Sequence, residues 1–359
     1  MELFFELIQF ALGNRTVLSK TPSPEEWLSL FEQAKKQAVV GIAFEALDQL
    51  SKEGQKPPLN LLYQWIGCAE QIKQQNLIVN KRCIEITKMF SDAGFRTCIL
   101  KGQGNARLYP NPLLRTSGDI DLWVTVHGRD KKEGLREKID GFVHNKFPEV
   151  KGGRMHIQFP IFSDIAVEVH YIPRYMNTPK YDRRLQTLFQ KTSEEQFNHL
   201  VTLQGAEGTC AVPTTEFNLV QQLSHLMSHF MGEGIGLRQF VDYYYVLKAY
   251  PEEGHSETTD ITELLKECGL LKFARGVMWV ENRLLGLEEE YLIAEPSERI
   301  GRAIQRTIEE GGNFGHHSSV NAYRHQSAIG RFVGGAKQSL RAMRYFPTEA
   351  TWKLIRKII

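Results

Sequence analysis

The sequence has no long apolar run, few cysteines and almost no net charge. A stretch of about 18 apolar residues is absent, which argues against a membrane-spanning helix. The 44 basic and 42 acidic residues leave a formal net charge of +2, so no overall attraction to nucleic acid is expected. The five cysteines are scattered and include no C-x-x-C pair, so neither a disulfide framework nor a zinc site is indicated. We therefore expect a protein of a reducing compartment, the cytoplasm.

The C-terminal region departs from this charge balance. One acid, Glu349, stands among the basic residues Arg324, Arg331, Lys337, Arg341, Arg344, Lys353, Arg356 and Lys357. A solvated basic face is one interpretation of this tail, and a surface for an anionic partner is the other.

The first 94 residues have helical patterns. Ser23, Pro24 and Glu26 form a capping-box sequence, which predicts a helix start. Apolar residues recur three, four or seven positions apart from Pro58 to Ala93, and Gly94 then supplies a stop. We expect residues 1–94 to be a helical N-terminal region.

Strand patterns are concentrated after Gly94. They are "FRTCIL" (95–100), "DIDLWVTV" (119–126), "TCAVP" (209–213) and a hairpin made by "HIQFPIF" and "IAVEVHYI". Helical spacing returns after Thr214. The expected fold class is α+β (mixed α/β), with a small sheet core in 95–213 between the helical region 1–94 and a mainly helical region 214–359.

Two acids interrupt one of these apolar strands. Asp119 and Asp121 alternate with Ile120 and Leu122, so the acids share one face of the strand and the apolar side chains share the other. Their mutual repulsion, about 3 kcal/mol at an effective dielectric near 20, would be offset by water or by a bound cation. An exposed strand edge is the alternative to a site for Mg²⁺ or Mn²⁺.

Further candidate residues lie on neighbouring elements. Glu168 stands between Val167 and Val169 and would supply a third acid, and His170 shares its face as either a structural or a site residue. Gly102 ends the strand before a short helix, a position that favours phosphate, and Lys101 and Arg115 bracket that turn.

With these residues the chain resembles the nucleotidyltransferases related to DNA polymerase beta. The pattern is carried by Leu100-Lys101-Gly102, Asp119-Ile120-Asp121-Leu122 and Val167-Glu168-Val169. More narrowly, "LKGQGNARLYPNPLLRTSGDIDLWV" and "LSHLMSHF…GLRQFVDYYYVL" look like a bacterial family of uncharacterised nucleotidyltransferases, over roughly residues 85–250.

The resemblance implies a site and a reaction. Asp119 and Asp121 would hold two Mg²⁺ or Mn²⁺ ions, and Glu168 would complete this three-carboxylate site as metal ligand or general base. Lys101, Gly102, Gln103 and Arg115 would bind the phosphates of an NTP, with ATP as the first candidate. The reaction would transfer NMP to an unknown hydroxyl-type acceptor, a small molecule or a protein, with nucleic acid less favoured.

The chain also departs from the family pattern. Gln103 stands where a second Gly or Ser is usual, and Gly104-Asn105 is an alternative register for the phosphate turn. The resemblance further implies that His229, Arg238 and Asp242 support the site or contact substrate. From spacing alone, His225 and His229 could bind a metal, and Arg238 and Asp242 could form a helix-surface ion pair.

Two functions of other classes stay open at this stage. One is a nucleotide-binding or regulatory module that is weakly active or inactive. The other is an interaction protein that uses helical flanks and the basic tail around the core as a scaffold.

Overall fold

The computed structural model describes residues 1–126, 128, 134–232, 234–251, 260–312 and 342–358. The helices in these residues are α1 (Glu2–Ala11), α2 (Pro24–Lys36), α3 (Val40–Lys52), α4 (Leu59–Asp92), α5 (Gly102–Ala106), α6 (Leu135–His144), α7 (Pro179–Asn198), α8 (Thr215–Met231), α9 (Leu237–Ala249), α10 (Ile261–Glu267), α11 (Leu271–Leu285), α12 (Glu298–Gly311) and α13 (Pro347–Ile358). Short 3-10 turns cover Pro112–Leu114 and Glu289–Tyr291.

The predicted start of α2 is confirmed at the level of its hydrogen bonds. The backbone N–H of Glu26 donates to the Ser23 hydroxyl at 3.3 Å, and the Glu26 carboxylate accepts from the Ser23 N–H at 3.0 Å. This reciprocal pair satisfies N–H groups that the first helical turn leaves without backbone acceptors. The long helix expected from Pro58 to Ala93 is α4.

The main sheet has four strands in the order β1-β2-β4-β3. These are β1 (Phe95–Leu100), β2 (Ile120–Val126), β3 (His156–Gln158) and β4 (Val167–His170). β2 pairs antiparallel with β1 and parallel with β4, while β3 and β4 form the predicted antiparallel hairpin. The strand predicted in "TCAVP" is β6 (Cys210–Ala211), which pairs with β5 (Leu200–Val201) in a separate small sheet.

One face of the main sheet is covered by the second half of α4. Ile86 and Phe90 of this helix are fully buried in the same apolar cluster as Leu122 and Val169. Burying such side chains is the main favourable term in folding, about 1.5–3 kcal/mol for each large one. Because apolar residues of β2 take this face, Asp121 is left on the opposite face of the strand.

The chain divides into two compact units. One is formed by residues 1–71, 176–182 and 222–359, and the other by 72–175 and 183–221. The expected division into 1–94, 95–213 and 214–359 follows secondary-structure content, whereas these units follow packing, so the second half of α4 groups with the sheet. The expected α+β class, with a small sheet between mainly helical stretches of the chain, is confirmed.

Two expectations concern the whole chain. Among the described residues, no helix is both long and apolar enough to cross a membrane. All five cysteines are described, and all are free thiols.

Candidate active site

The three predicted acids meet at adjacent ends of two parallel strands. Asp119 immediately precedes β2, Asp121 is its second residue, and Glu168 is the register partner of Asp121 on β4. One carboxylate oxygen from each acid lies within 4.8 Å of the other two. β2 lies between β1 and β4, and Asp121 is only 2% exposed, so the interpretation as a solvated strand edge does not apply to it.

Lys101 is held beside the acids by an unusual backbone conformation. It follows β1 with φ +52° and ψ −143°, a combination that a residue with a Cβ rarely adopts. Its Nζ lies 2.8 Å from Oδ2 of Asp121. Non-glycine residues in such conformations persist where the surrounding structure imposes them, which is common at functional sites.

His170 contacts the other oxygen of Asp121. Its Nε2 lies 2.9 Å from Oδ1 of Asp121 and 3.5 Å from Oε2 of Glu168, and the imidazole is 2% exposed. Burial favours the neutral ring, but the hydrogen bonds to Asp121 and Glu168 outweigh it and raise the pKa of His170. The sequence predicts that His170 shares the strand face of Glu168. The structure adds a direct contact, in which His170 donates its Nε2–H to Asp121.

Asp121 is therefore an ionised carboxylate in a buried position. Burial alone would raise its pKa, but the Lys101 ammonium and the His170 hydrogen bond hold the pKa of Asp121 well below its usual range. A buried charge without such partners would cost several kcal/mol. The charge of Asp121 is thus available at neutral pH for a cation or a positively charged side chain.

Glu168 lies beside two polar residues of β3 that sequence reasoning missed. Gln158 of β3 donates Nε2–H to Oε1 at 2.9 Å, and Nδ1 of His156 lies 3.2 Å from Oε2. Burial opposes ionisation of Glu168, yet the His170 hydrogen bond brings its pKa below the usual value. The pKa of His156 is lowered, chiefly by burial. The alternation in "HIQF" was the available signal, since His156 and Gln158 share the strand face that pairs with Glu168.

The turn at Gly102 is a tight link between β1 and α5. Gly102 has φ +43°, in the left-handed region that favours glycine. Glycine is favoured at position 104 for a different reason, which is the lack of space. A Cβ there would lie 3.2 Å from the Ile99 carbonyl oxygen and 3.3 Å from Val212. Lys101 and Gly102, the two residues directly after the strand, therefore both have positive φ, and Gly104 is a packing position within α5.

Gln103 is a buried amide in a polar network with α4. It donates Nε2–H to the side-chain oxygens of Asn76, at 3.2 Å, and Asn80. Asn76 in turn donates to the backbone oxygens of Leu113 and Arg115, each at 2.7 Å. Asn76 and Asn80 are four residues apart and so lie on one helix face. This spacing was the sequence signal that both could bind the same partner. The network attaches the turn and the segment before Asp119 to α4.

Arg115 lies in that segment and is 4% exposed. Its Nη1 donates to the carbonyl oxygen of Thr116 at 3.3 Å, and its own carbonyl oxygen is held by Asn76. The structure thus places Lys101, Gly102, Gln103 and Arg115 within one unit with the three acids. Their predicted contact with phosphate stays a prediction.

Two overlapping donor sets could hold a metal. The carboxylates of Asp119, Asp121 and Glu168 form an oxygen-only set, which suits Mg²⁺ or Mn²⁺. Oxygens on one octahedral Mg²⁺ lie about 3.0 Å apart in adjacent positions and about 4.2 Å apart in opposite ones, so carboxylates within 4.8 Å of one another would move closer together to share an ion. His156, Glu168 and His170 form a second set with two ring nitrogens. The residues present therefore fit a divalent cation.

His229, Arg238 and Asp242 belong to the other compact unit. The rings of His225 and His229 are in edge contact with centroids 4.3 Å apart, and neither appears in a potential metal cluster of the described residues. Arg238 and Asp242 are each 5% exposed, so a helix-surface pair is the wrong description of them. Their predicted role near substrate stays a prediction.

The basic tail is described only in part. Arg324, Arg331, Lys337, Arg341 and the side chain of Lys357 lie outside the described residues. Lys353 donates to the Met231 carbonyl oxygen at 2.6 Å, and Arg356 lies 3.5 Å from Asp182. Arg344 is exposed.

Comparison with known proteins gave a family match and one structural likeness to report. The model of a family described as uncharacterised nucleotidyltransferase matches residues 23–286. No curated protein matches the chain. Among solved structures, an antigenic nucleotidyltransferase-like protein from Paracoccidioides brasiliensis is similar, at 12% sequence identity and a TM-score of 0.31. That match covers 65% of this chain and 98% of the other.

Proposed function

Because this chain belongs to the uncharacterised nucleotidyltransferase family, we propose that it is a metal-dependent enzyme that transfers a nucleoside monophosphate from an NTP to a hydroxyl-type acceptor. The observation that carries the proposal is the meeting of the Asp119, Asp121 and Glu168 oxygens within 4.8 Å of one another. Lys101 adds a positive charge at the same place. Three acids and a lysine on the polar face of a sheet are the parts that phosphoryl transfer needs for positioning and charge neutralisation.

In this proposal Asp119, Asp121 and Glu168 hold Mg²⁺ or Mn²⁺. When bound, the metal supplies neutralisation of the phosphate charges and stabilisation of the leaving pyrophosphate. The acceptor oxygen forms a bond to the α-phosphorus, and the bond from that phosphorus to the bridging oxygen breaks. Pyrophosphate leaves with the electron pair, and the acceptor proton passes to solvent.

We assign Glu168 to metal binding in preference to proton abstraction. A general base works best when its pKa is near the working pH, whereas the pKa of Glu168 lies below its ordinary value. Gln158 holds the carboxylate by a hydrogen bond, and Nδ1 of His156 lies 3.2 Å from its other oxygen; a metal ligand requires such a fixed orientation. The hydrogen bond from His170 orients the carboxylate of Asp121 in the same way.

We assign Lys101 one role in the metal-free site and another when metal and nucleotide are bound. Without metal its ammonium neutralises Asp121. With metal and nucleotide bound, the same charge would be released toward the phosphates, where Gly102, Gln103 and Arg115 are the other proposed contacts. ATP is the first candidate for the NTP, and the cytoplasm the proposed location, because all five cysteines are free. The acceptor is proposed to be a small molecule or a protein.

The test is label transfer. Wild type is incubated with each α-³²P-labelled NTP, Mg²⁺ and a cell extract, in parallel with Asp119→Ala/Asp121→Ala. The matched control is Asp48→Ala/Asp92→Ala, which removes two exposed acids from helix surfaces. We expect wild type and control to label the same acceptor and the site variant to label none. Equal labelling by all three proteins would refute the assignment.

A nucleotide-binding module without turnover is the second candidate. It is favoured by one observation, that the Gln103 side chain is engaged by Asn76 and Asn80 at the turn where a second small residue is usual. Nucleotide binding that depends on Asp119 and Asp121, with no label transfer from any NTP, would select this function.

A further inference from the structure

A basic cavity lies in the unit that does not contain the sheet. It has a volume of about 180 Å³ and is lined by α11, the start of α12 and the segment before α13. Four of its lining side chains are cationic: Lys272, Arg275, Arg299 and Arg344. No acid lines it among the described residues. We call these four residues, with Ser297 and Tyr345, the basic pocket.

The backbone around the basic pocket is closely constrained. A Cβ on Gly276 of α11 would overlap Ile300 of α12, so the two helices pack in near contact. The N–H of Ser297 donates to the carbonyl oxygen of Arg275 at 2.7 Å, and Nε of Arg275 donates to the carbonyl oxygen of Glu295 at 3.0 Å. These hydrogen bonds therefore attach the residues just before α12 to α11.

Tyr345 brings three of the cations together. The guanidinium groups of Arg299 and Arg344 each lie 5.9 Å from the centre of its ring, within reach of a cation–π interaction. Nζ of Lys272 donates to the Tyr345 carbonyl oxygen. These three cations thus contact neutral groups, and all four cationic side chains are exposed to solvent.

No carboxylate neutralises the four cations within the described part of the chain. The nearest acid in sequence, Glu298, is paired with Arg302 at 2.7 Å. The Ser297 side chain does not cap α12, so the first N–H groups of this 14-residue helix add positive potential beside the pocket. Like charges gathered without a counter-ion repel one another, and an anion in the pocket would relieve that repulsion.

We propose that the basic pocket binds a compact phosphate-type anion, the terminal phosphate or diphosphate of a small ligand. Arginine guanidinium groups match phosphate oxygens in pairs, and lysine adds a point charge. Because the four cationic side chains line one cavity of about 180 Å³, they fit a compact dianion better than an extended nucleic-acid backbone. The site contains no residue of the carboxylate cluster and does not depend on the proposed transfer reaction.

The test is calorimetric titration of inorganic phosphate and of pyrophosphate into the full chain, in EDTA so that no metal contributes. Arg275→Gln/Arg299→Gln is compared with wild type and with Lys52→Gln/Lys266→Gln, which removes two exposed helix-surface charges. We expect the pocket variant to bind at least about tenfold more weakly, because charge-assisted hydrogen bonds are lost. The control should bind as wild type does.

A single-stranded oligonucleotide and sulfate are titrated in the same way. Phosphate binding that is lost only in the pocket variant supports the proposal, and circular dichroism of that variant verifies its fold. Equal binding by all variants, or equal weakening in the control, overturns it. Tight oligonucleotide binding without pyrophosphate binding also overturns it, in favour of a nucleic-acid surface.

Discussion

At the scale of single residues, Asp121 is the centre of the candidate site. A carboxylate that is 2% exposed remains ionised because Lys101 and His170 each contact one of its oxygens. Removing one member of such a buried set leaves another charge without a partner, and this costs more than losing the whole set.

Asp121→Asn should therefore lower the free energy of unfolding by about 3 kcal/mol, because the Lys101 ammonium loses its counter-charge. The double variant Lys101→Met/Asp121→Asn should be more stable than Asp121→Asn, although neither variant is expected to bind metal. Urea unfolding measures both effects. Asp48→Asn, in an exposed pair, should change stability by less than about 0.5 kcal/mol. Equal destabilisation of the single and double variants would contradict the pairing.

Glu281 is a second buried acid, in the unit without the sheet. It is fully buried in α11, and neither carboxylate oxygen has a hydrogen-bond partner in the structure as described. Burial raises the pKa of Glu281 well above its ordinary value of 4.5, so folding favours the protonated carboxyl, whereas the carboxyl of the unfolded chain is ionised at neutral pH.

Because of Glu281, the free energy of unfolding is highest below pH 4.5 and falls as the pH rises above that value. The reason is that the unfolded chain then binds fewer protons than the folded one. Glu281→Met should raise the free energy of unfolding at pH 8 by about 1–3 kcal/mol, the cost of an unsatisfied buried polar group. The gain should shrink at pH 4. Urea titrations at pH 4, 6 and 8 measure it. The exposed Glu290→Met is the control, and a gain independent of pH would rule out the charge argument.

At the scale of elements, α4 determines where the turn after β1 lies. Asn76 and Asn80 of α4 bind the Gln103 side chain, and Asn76 also holds the backbone before Asp119. The same helix buries Ile86 and Phe90 against the sheet. One helix thus supports both the core and the polar network of the site.

Gln103→Ala should lower the free energy of unfolding by about 1–3 kcal/mol, since the buried oxygens of Asn76 and Asn80 lose their donor. The measurement is thermal or urea unfolding, with Gln64→Ala, an exposed glutamine of α4, as the control. A loss no larger than that of Gln64→Ala would show that the network is not needed to hold the turn.

At the scale of the whole molecule, metal binding should be visible as stability. A ligand that binds only the folded state stabilises it by about 2.7 kcal/mol at a concentration one hundred times its Kd. Mg²⁺ or Mn²⁺ should therefore raise the melting temperature of wild type and not that of Asp119→Ala/Asp121→Ala. Calorimetry with EDTA as the reference measures the shift. An equal shift in both proteins would place the metal elsewhere.

Much of this architecture can be predicted from short segments of the sequence. The capping box at Ser23, the long period of α4 and the alternation around Asp121 predicted α2, α4 and β2, because each depends on neighbours within a few residues. The resemblance carried by the acids identified the family that the chain belongs to. The same patterns proposed Asp119, Asp121 and Glu168 as one site.

Only the tertiary structure decided what surrounds those acids. The contacts of Lys101 with Asp121, of His156 and Gln158 with Glu168, and of Asn76 with Gln103 join residues on different elements. Strand order and helix packing set such distances, and neither is encoded in the spacing of a single segment. The same reason explains why the two compact units cross the expected boundaries, and why four cations from three segments meet in the basic pocket.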